Sequence, residues 1–273
     1  MFAVIGQKIF QKLCDNLPFR VANGETIGNE LVENTHFNTT EDWFVYGTPP
    51  RYYSVNNNKL FFWSTSAASN AGAFTTISIV SGKKYIIEAE GFSPFTTSWS
   101  VGGSPGSGTV YQSNVIPEGN FKVSLPFTSN LTGYAFLDIF ADSNNTAQSY
   151  LSKISVREVS TSCKVTPVII PQGTTYPATT YEISNVSNFM SKGGSLNSCD
   201  VSINISCFAD GYATTYNQAK AVVEALDLYQ VTYSEDGQSY TAKFRFMNLD
   251  DEYYKQPEKF YKNLTFNCLI IKN

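Results

Sequence analysis

Residues Cys163 to Ile183, CKVTPVIIPQGTTYPATTYEI, decide how the rest of the chain is organised. Pro167, Pro171 and Pro177 fix φ and remove backbone donors, so a continuous helix is excluded and extended pieces joined by turns remain. Gly173 supplies a positive φ for the PQGT turn. After it, Tyr181 and Ile183 open an alternating run that predicts a strand. The stretch is an ordered connector into a sheet, and nothing in it is a group that does chemistry.

Towards the end of the chain, Val201, Ile203, Ile205 and Cys207 alternate with Ser202, Asn204 and Ser206, the pattern of a strand with one buried face. Tyr212, Tyr216, Ala219, Val223 and Leu226 recur at helical spacing. Val231 to Tyr233 and Thr241 to Met247 flank SEDGQS, whose Asp236-Gly237 pair signals a hairpin, and Leu264 to Ile271 predicts a closing strand. Towards the start, Phe2, Ile5, Ile9, Leu13 and Leu17 line one side of an amphipathic helix, with Lys8, Gln11, Lys12 and Asp15 opposite and Pro18 as its stop. That helix needs an apolar surface, and the Gly-, Asn- and Glu-rich run Val21 to Glu33 offers none. The sheet predicted after Ser160 does. Skipping Gly24 to Ser160, the order is helix, strand, strand, helix, strand, strand, strand. That is an α+β fold with two helices on one face of an antiparallel sheet.

Between these parts the texture changes. From Leu31 to Val159, eight short alternating or aromatic runs (YYSV, KLFFWS, AFTTISIV, KKYIIEAEGF, TVYQSNVI, FKVSLPF, GYAFLDIF and YLSKISVREV) are separated by Gly, Asn, Ser and Pro. No helical window and no fixed repeat interrupts them, which predicts an all-β sandwich. The Gly-rich piece GGSPGSG, Gly102 to Gly108, lacks the following helix that a phosphate-binding loop requires and reads as a hairpin loop.

Two family resemblances follow from these residues. The apolar extended piece, P-Q-G-T, Y-P-A and then a strand resemble the tail terminator, or tail completion, proteins of long-tailed bacteriophages, in which this segment directly follows a short amino-terminal helix. The implied organisation is a discontinuous terminator-like domain, residues 1–23 and 161–273, interrupted by an inserted domain, residues 24–160. The insert resembles the β-jelly-roll carbohydrate-binding-like modules of glycanases and phage structural proteins. The resemblance rests on ELVENTHFNTTEDWFVYG, KLFFWSTSAASNAGAFTTISIVSGKKYIIEAEG and AFLDIFADSNNTAQSYLSKISVREVS. Where that family often has an acidic pair before the last strand, helping to hold a structural calcium, this chain has Ser152 and Lys153.

The chain has 273 residues, 42% of them hydrophobic and 15% aromatic, enough for two cores. Residues 24–160 carry 7 Lys and Arg against 11 Asp and Glu, and the remainder 12 against 12. Neither part has the basic excess of a protein that grips nucleic acid by its phosphates, so any contact with DNA is passive and non-specific. The five cysteines, Cys14, Cys163, Cys199, Cys207 and Cys268, are odd in number and form no CxxC pair. They read as small apolar residues of a reduced cytoplasmic product rather than as a disulfide or zinc set. Lys8 and Lys12 break any signal-peptide core, and no run approaches membrane-spanning length, so no membrane partner is expected.

His36 is the sole histidine, which removes Ser-His-Asp, Cys-His and multi-histidine metal sites and leaves carboxylates as acid or base candidates. Glu41-Asp42 and Asp250-Asp251-Glu252 sit in loop-like or helix-start contexts. Glu88 and Glu90 share a strand face and could flank a sugar, although a solvated strand face is the commoner reason for such a pair. No catalytic residue, cofactor or metal is expected, and the protein is not expected to be an enzyme. Aromatic residues carry the stronger signal, since Trp43, Tyr46, Tyr52, Tyr53, Trp63 and Trp99 all lie in the insert. Rings of this kind stack on sugars when exposed and fill a core when buried. The loop-borne Tyr46, Tyr52 and Trp99 are the candidates for glycan contact.

The terminator resemblance implies a structural virion protein, made in the host cytoplasm and placed in the tail near the head–tail junction. It implies a homohexameric ring touching the tail tube protein and a head-side connector, with DNA passing through. Pro171, Gln172, Gly173 and Thr174 are the candidate ring or tube contacts, and the sandwich would project outward as a decoration. The alternative is a carbohydrate-binding adhesion module of a phage tail or glycanase, with surface glycans as partner.

Overall fold

A computed structural model describes residues 2–47, 51–64, 71–105, 107–116, 118–141, 148–160, 162–188, 198–255 and 258–273. The chain divides into two compact units, Ile27–Thr161 and Met1–Thr26 with Ser162–Asn273.

The continuous unit is a sandwich of β1 (Ile27–Glu30), β2 (Phe44–Gly47), β3 (Arg51–Asn56), β4 (Lys59–Ser64), β5 (Ala71–Ile79), β6 (Lys84–Ser93), β7 (Thr97–Gly102), β8 (Tyr111–Ile116), β9 (Gly119–Thr128), β10 (Gly133–Ala141) and β11 (Ser149–Val159). One sheet runs β3-β4-β11-β6-β9 with β1 also on β11, and the other runs β2-β5-β10-β7-β8. All eight runs read from the sequence are strands. Three more, β1, β2 and β7, were not foreseen. In β7, TSWSVG, every position is buried although four of the six are Ser, Thr or Gly, so no polar face marks it as a strand. Alternation places Ile87, Ala89, Leu151, Ile154 and Val156 of the first sheet against Ala73, Ile77, Leu137, Ile139 and Val101 of the second, in one core. Phe37 and Trp43, at 0% and 1% exposure, join that core from the loop between β1 and β2 and meet edge-on at 5.6 Å.

The discontinuous unit comprises α1 (Phe2–Cys14), α2 (Leu17–Ala22), β12 (Val165–Pro167), β13 (Ala178–Asn188), β14 (Ser198–Ala209), α3 (Tyr212–Leu226), β15 (Gln230–Glu235), β16 (Gln238–Lys255) and β17 (Glu258–Lys272). Its sheet order is β12-β13-β14-β17-β16-β15. Ile5, Ile9 and Leu13 of α1, Phe19 of α2 and Val222 and Leu226 of α3 close over Val201, Ile203, Ile205, Phe266 and Cys268 on one face of the sheet. The Asp236-Gly237 turn has positive φ at both residues, 52° and 73°, as a two-residue hairpin between β15 and β16 requires.

Four expectations need correction. The sheet is mixed, because β12 runs parallel to β13 after the chain crosses back from the connector. There are three helices where two were foreseen. The first ends at Cys14, and Pro18 starts the extra helix instead of stopping the first one. Asn16 accepts from the Phe19 amide at 2.8 Å as the cap, and a proline in the first turn has no amide bond to lose. Finally, Cys14 and Cys163 form a disulfide. Packing α1 beside the connector brings their Cα atoms to 5.6 Å across a separation of 149 residues, which no local spacing could announce. Cys199, Cys207 and Cys268 are free and buried, and burial pushes the Cys207 and Cys268 thiols up to about 12.

The disulfide is one part of a clasp. Arg20, 0% exposed, pairs with Glu25 at 2.5 Å and donates to the Cys14 carbonyl at 3.0 Å and the Ser162 carbonyl at 2.9 Å. Asn23 donates to the Lys164 carbonyl and accepts from Thr179 and Gln218. Both places where the chain passes between the units are therefore fastened to the same helices and strands. Among the described residues no helix is long and apolar enough to cross a membrane.

Candidate glycan-binding site

The outer face of the β2-β5-β10-β7-β8 sheet follows from its inner one. With Ala73, Thr75, Ile77 and Ile79 of β5, Leu137 and Ile139 of β10, and Trp99 and Val101 of β7 turned into the core, their alternate neighbours must point out. The strand register then sets one row directly across all five strands: Phe44, Phe74, Asp138, Ser100 and Gln112. Apolar groups occupy one half of the row. The Phe44 and Phe74 rings stack at 5.4 Å and 27°, and Phe136 meets Phe74 edge-on at 5.7 Å. Phe44 is 53% exposed and Tyr134, further along β10, is 79% exposed.

Polar groups occupy the other half. Ser100 donates to Asp138 Oδ2 at 3.3 Å. Asp138, Ser100 and Ser98 are buried although they lie on the outward side, with Asp138 at 0% exposure. A hidden carboxylate on a central strand is the informative feature here, since desolvating a charge is expensive and hydrogen bonds must offset it. The loop after β7 closes one end of the row. Its Thr109 hydroxyl accepts from the Gly103 amide at 3.2 Å, and Ser107 and Thr109 stand over Gly102. Gly102 ends β7, and the other described residues of GGSPGSG, 103–105 and 107–108, fall between β7 and β8.

The three sequence candidates for glycan contact fall in three places. Tyr46 lies on β2 opposite Gly72, and its side chain lies outside the described residues. Tyr52 is 45% exposed but belongs to the other sheet. Trp99 is a correction: it is 0% exposed, inside the core, edge-on to Phe121 at 6.4 Å. Its position in β7, opposite Ile139, turns it inward, so it cannot meet a ligand on the surface. Glu88 and Glu90 lie on the first sheet's outer face, where Glu90 pairs with Lys122 at 3.2 Å and burial pushes the Glu88 carboxyl up. Pro171 to Thr174 form an exposed turn in the discontinuous unit, closed by the Thr174 amide on the Pro171 carbonyl at 3.1 Å, with Gly173 at φ 81°. His36, in the loop after β1, contacts the Thr35 hydroxyl at 2.8 Å. Among the described residues no group of three His, Cys, Asp or Glu could hold a metal ion.

Sequence reasoning missed Phe44, Phe74 and Asp138. The available signal was the single acid inside the apolar run GYAFLDIFA, on the outward beat of its alternation.

No protein-family model matches the chain, and no curated protein does. Solved structures that resemble it are mainly carbohydrate-binding modules. The second N-terminal cellulose-binding domain of β-1,4-glucanase C from Cellulomonas fimi is 17% identical, covering 49% of this chain and 97% of that one, with a TM-score of 0.37. A family 16 carbohydrate-binding module is 17% identical over 47% of this chain and 99% of that one, at a TM-score of 0.33. The enzymatically active domain of tailspike protein 4 from bacteriophage CBA120 is 14% identical over 48% of this chain and 21% of that one, at 0.36. Values this low leave the function of this chain to its own residues.

Proposed function

We propose that the sandwich binds carbohydrate on the outer face of the β2-β5-β10-β7-β8 sheet, and that the protein is a glycan-binding component of a phage tail and not an enzyme. One observation carries the proposal: an outward row that presents the stacked Phe44 and Phe74 rings at one end and the exposed amide of Gln112 at the other, with buried Asp138 and Ser100 between them. A sugar has the same two-sided character. Its C–H face lies on Phe44 and Phe74, its hydroxyls exchange hydrogen bonds with the exposed Gln112, and buried Asp138, bonded by Ser100, holds the strands of the row in register beneath it. Asp138 is the one carboxylate of the row, and it is buried. Glycosidic hydrolysis generally takes two that flank the bond, and Glu88 and Glu90 stand on the opposite sheet. A disulfide fits service outside a reducing cytosol. The test is a glycan array probed with the full chain and with Phe74→Ala. Signals on a defined set of glycans that the variant loses support the proposal, and a wild-type chain silent on every glycan rejects it.

A second reading concerns the discontinuous unit. Between β12 and β13, Val168 adopts φ 61°, a rare state for a β-branched residue, while its amide donates to the Tyr181 carbonyl at 2.9 Å. This turns Val168 and Ile169 outward at 60% and 73% exposure, beside the Pro171–Thr174 turn. Two aliphatic side chains held in the open favour an assembly contact. The reading is a tail terminator subunit whose ring meets the tail tube and the head-side connector. Its test is copy number and position in purified virions: six copies, or a small multiple, at the head–tail junction support it, and a distal tip position rejects it.

A further inference from the structure

We infer that the opposite face of the sandwich, the outer side of β3-β4-β11-β6, is a second carbohydrate-binding surface, for an uncharged polysaccharide chain. Its ligand class rests on the carbohydrate reading above, but its geometry is independent of the first site. The β3–β4 hairpin turns through Asn57 and Asn58, both at positive φ, 49° and 56°, which fixes Asn56 opposite Lys59 and so Tyr52 opposite Trp63. Register then carries the row onward, with Phe61 opposite Tyr150 and Tyr150 opposite Phe92. The ring pairs are close: Tyr52–Trp63 at 5.7 Å and 22°, Phe61–Tyr150 at 5.4 Å, and Tyr150–Phe92 at 5.9 Å and 25°.

A bulge keeps these rings outward. Leu151 pairs with Gly91 and Lys153 with Glu90, so Ser152 is the extra residue, and the shift in phase lets Leu151 and Ile154 both face the core. Gly91 is required there, because a Cβ would meet the Tyr150 carbonyl oxygen and come within 2.8 Å of the Phe121 ring. None of the five rings belongs to the sandwich core. Tyr52 is 45% exposed, and the other four are half-buried.

Area and charge select the occupant. At 150–250 Å² per aromatic side chain, the open part of five such rings comes to on the order of 300 Å². A stable protein contact buries roughly 800 Å² on each partner, so neither a second copy nor another folded protein would be held by this surface alone. Two of its acids are already paired, Glu90 with Lys122 and Glu30 with Arg157, both at 3.2 Å. Lys59, 4.1 Å over the Tyr150 ring, is a donor for a sugar hydroxyl at the edge of the row. Flat rings with their neighbouring acids paired and one lysine at the edge suit a neutral sugar chain.

The experiment uses the full chain on the same glycan array, with three variants: Tyr52→Ala/Trp63→Ala, Phe74→Ala/Asp138→Asn, and all four together. Each face is expected to contribute, so Tyr52→Ala/Trp63→Ala weakens binding to multivalent polysaccharide by about tenfold while the melt stays close to wild type, because a single cross-strand ring pair on a solvated face adds little to stability. Trp63 supplies a direct readout. Trp43 and Trp99 are 1% and 0% exposed, so acrylamide quenching reports Trp63, and the array's strongest soluble polysaccharide should protect it. Unchanged quenching together with unchanged binding of Tyr52→Ala/Trp63→Ala overturns the inference while leaving the first site standing. Binding lost in that variant but kept in Phe74→Ala/Asp138→Asn sinks the first site and keeps this one.

Discussion

Replacing both Cys14 and Cys163 by alanine separates the two units energetically. If the whole chain between them were unfolded in the reference state, cross-linking 149 residues apart would contribute about 5 kcal/mol of loop entropy. The sandwich shortens that loop. Its first and last strands pair, Ile27 opposite Val159, so with the sandwich folded the free loop runs only from Cys14 to Ile27 and from Val159 to Cys163. That is ~17 residues, worth ~3 kcal/mol. The two units also carry different probes. All described helices lie in the discontinuous unit, and all three tryptophans, Trp43, Trp63 and Trp99, lie in the sandwich. In urea, ellipticity at 222 nm should lose ~3 kcal/mol, a midpoint shift of roughly 1–3 M, while the tryptophan transition stays in place. Joint movement of both transitions, or no movement of the helical one, would refute the reasoning.

Gly91→Ala should move the other transition, lowering the stability reported by tryptophan by about 1–3 kcal/mol with the helical signal unchanged, because the backbone oxygen of Tyr150 cannot yield as a side-chain tip could; an unchanged melt would dismiss the close approach. Glu88→Gln should raise stability at neutral pH. Burial raises this acid's folded pKa, so its charged form penalises the fold above that pKa, and the advantage of glutamine should fade as pH falls through it; an advantage that grows on acidification has the wrong sign. Ile169→Asp, at a position 73% exposed, should leave the melt within about 0.5 kcal/mol and abolish incorporation into assembled particles, and normal incorporation would free the β12–β13 loop of any assembly role.

Local patterns were legible wherever one face of an element was apolar. Tyr212 to Leu226 was read as a helix from the spacing of Tyr212, Tyr216, Ala219, Val223 and Leu226, of which only Ala219 and Leu226 are buried, the covered face running instead through Thr215, Gln218, Val222 and Ala225; β14 and the β15–β16 hairpin were read from alternation and Asp236-Gly237. Elements stabilised by something other than their own pattern were not legible. β7 mixes Ser and Thr with Trp and Val because both of its faces are covered, and β12 is three residues long and exists through β13. Cys14–Cys163 depends on a packing across 149 residues. The site was less legible than the fold. Tyr46, Tyr52 and Trp99 were chosen as rings, but which sheet and which side a ring occupies depends on register. Trp99 proved to be core, while the row through Phe74 and Asp138 appears only when five strands are laid side by side.

The most direct test of glycan binding is amide chemical-shift mapping of the full chain during titration with an oligosaccharide taken from the array. Shifts at Phe74, Ser100, Gln112 and Asp138, four residues on four different strands of one row, are the expected result. Shifts that leave those four untouched, or that fall only within Cys163 to Asn273, would contradict the account.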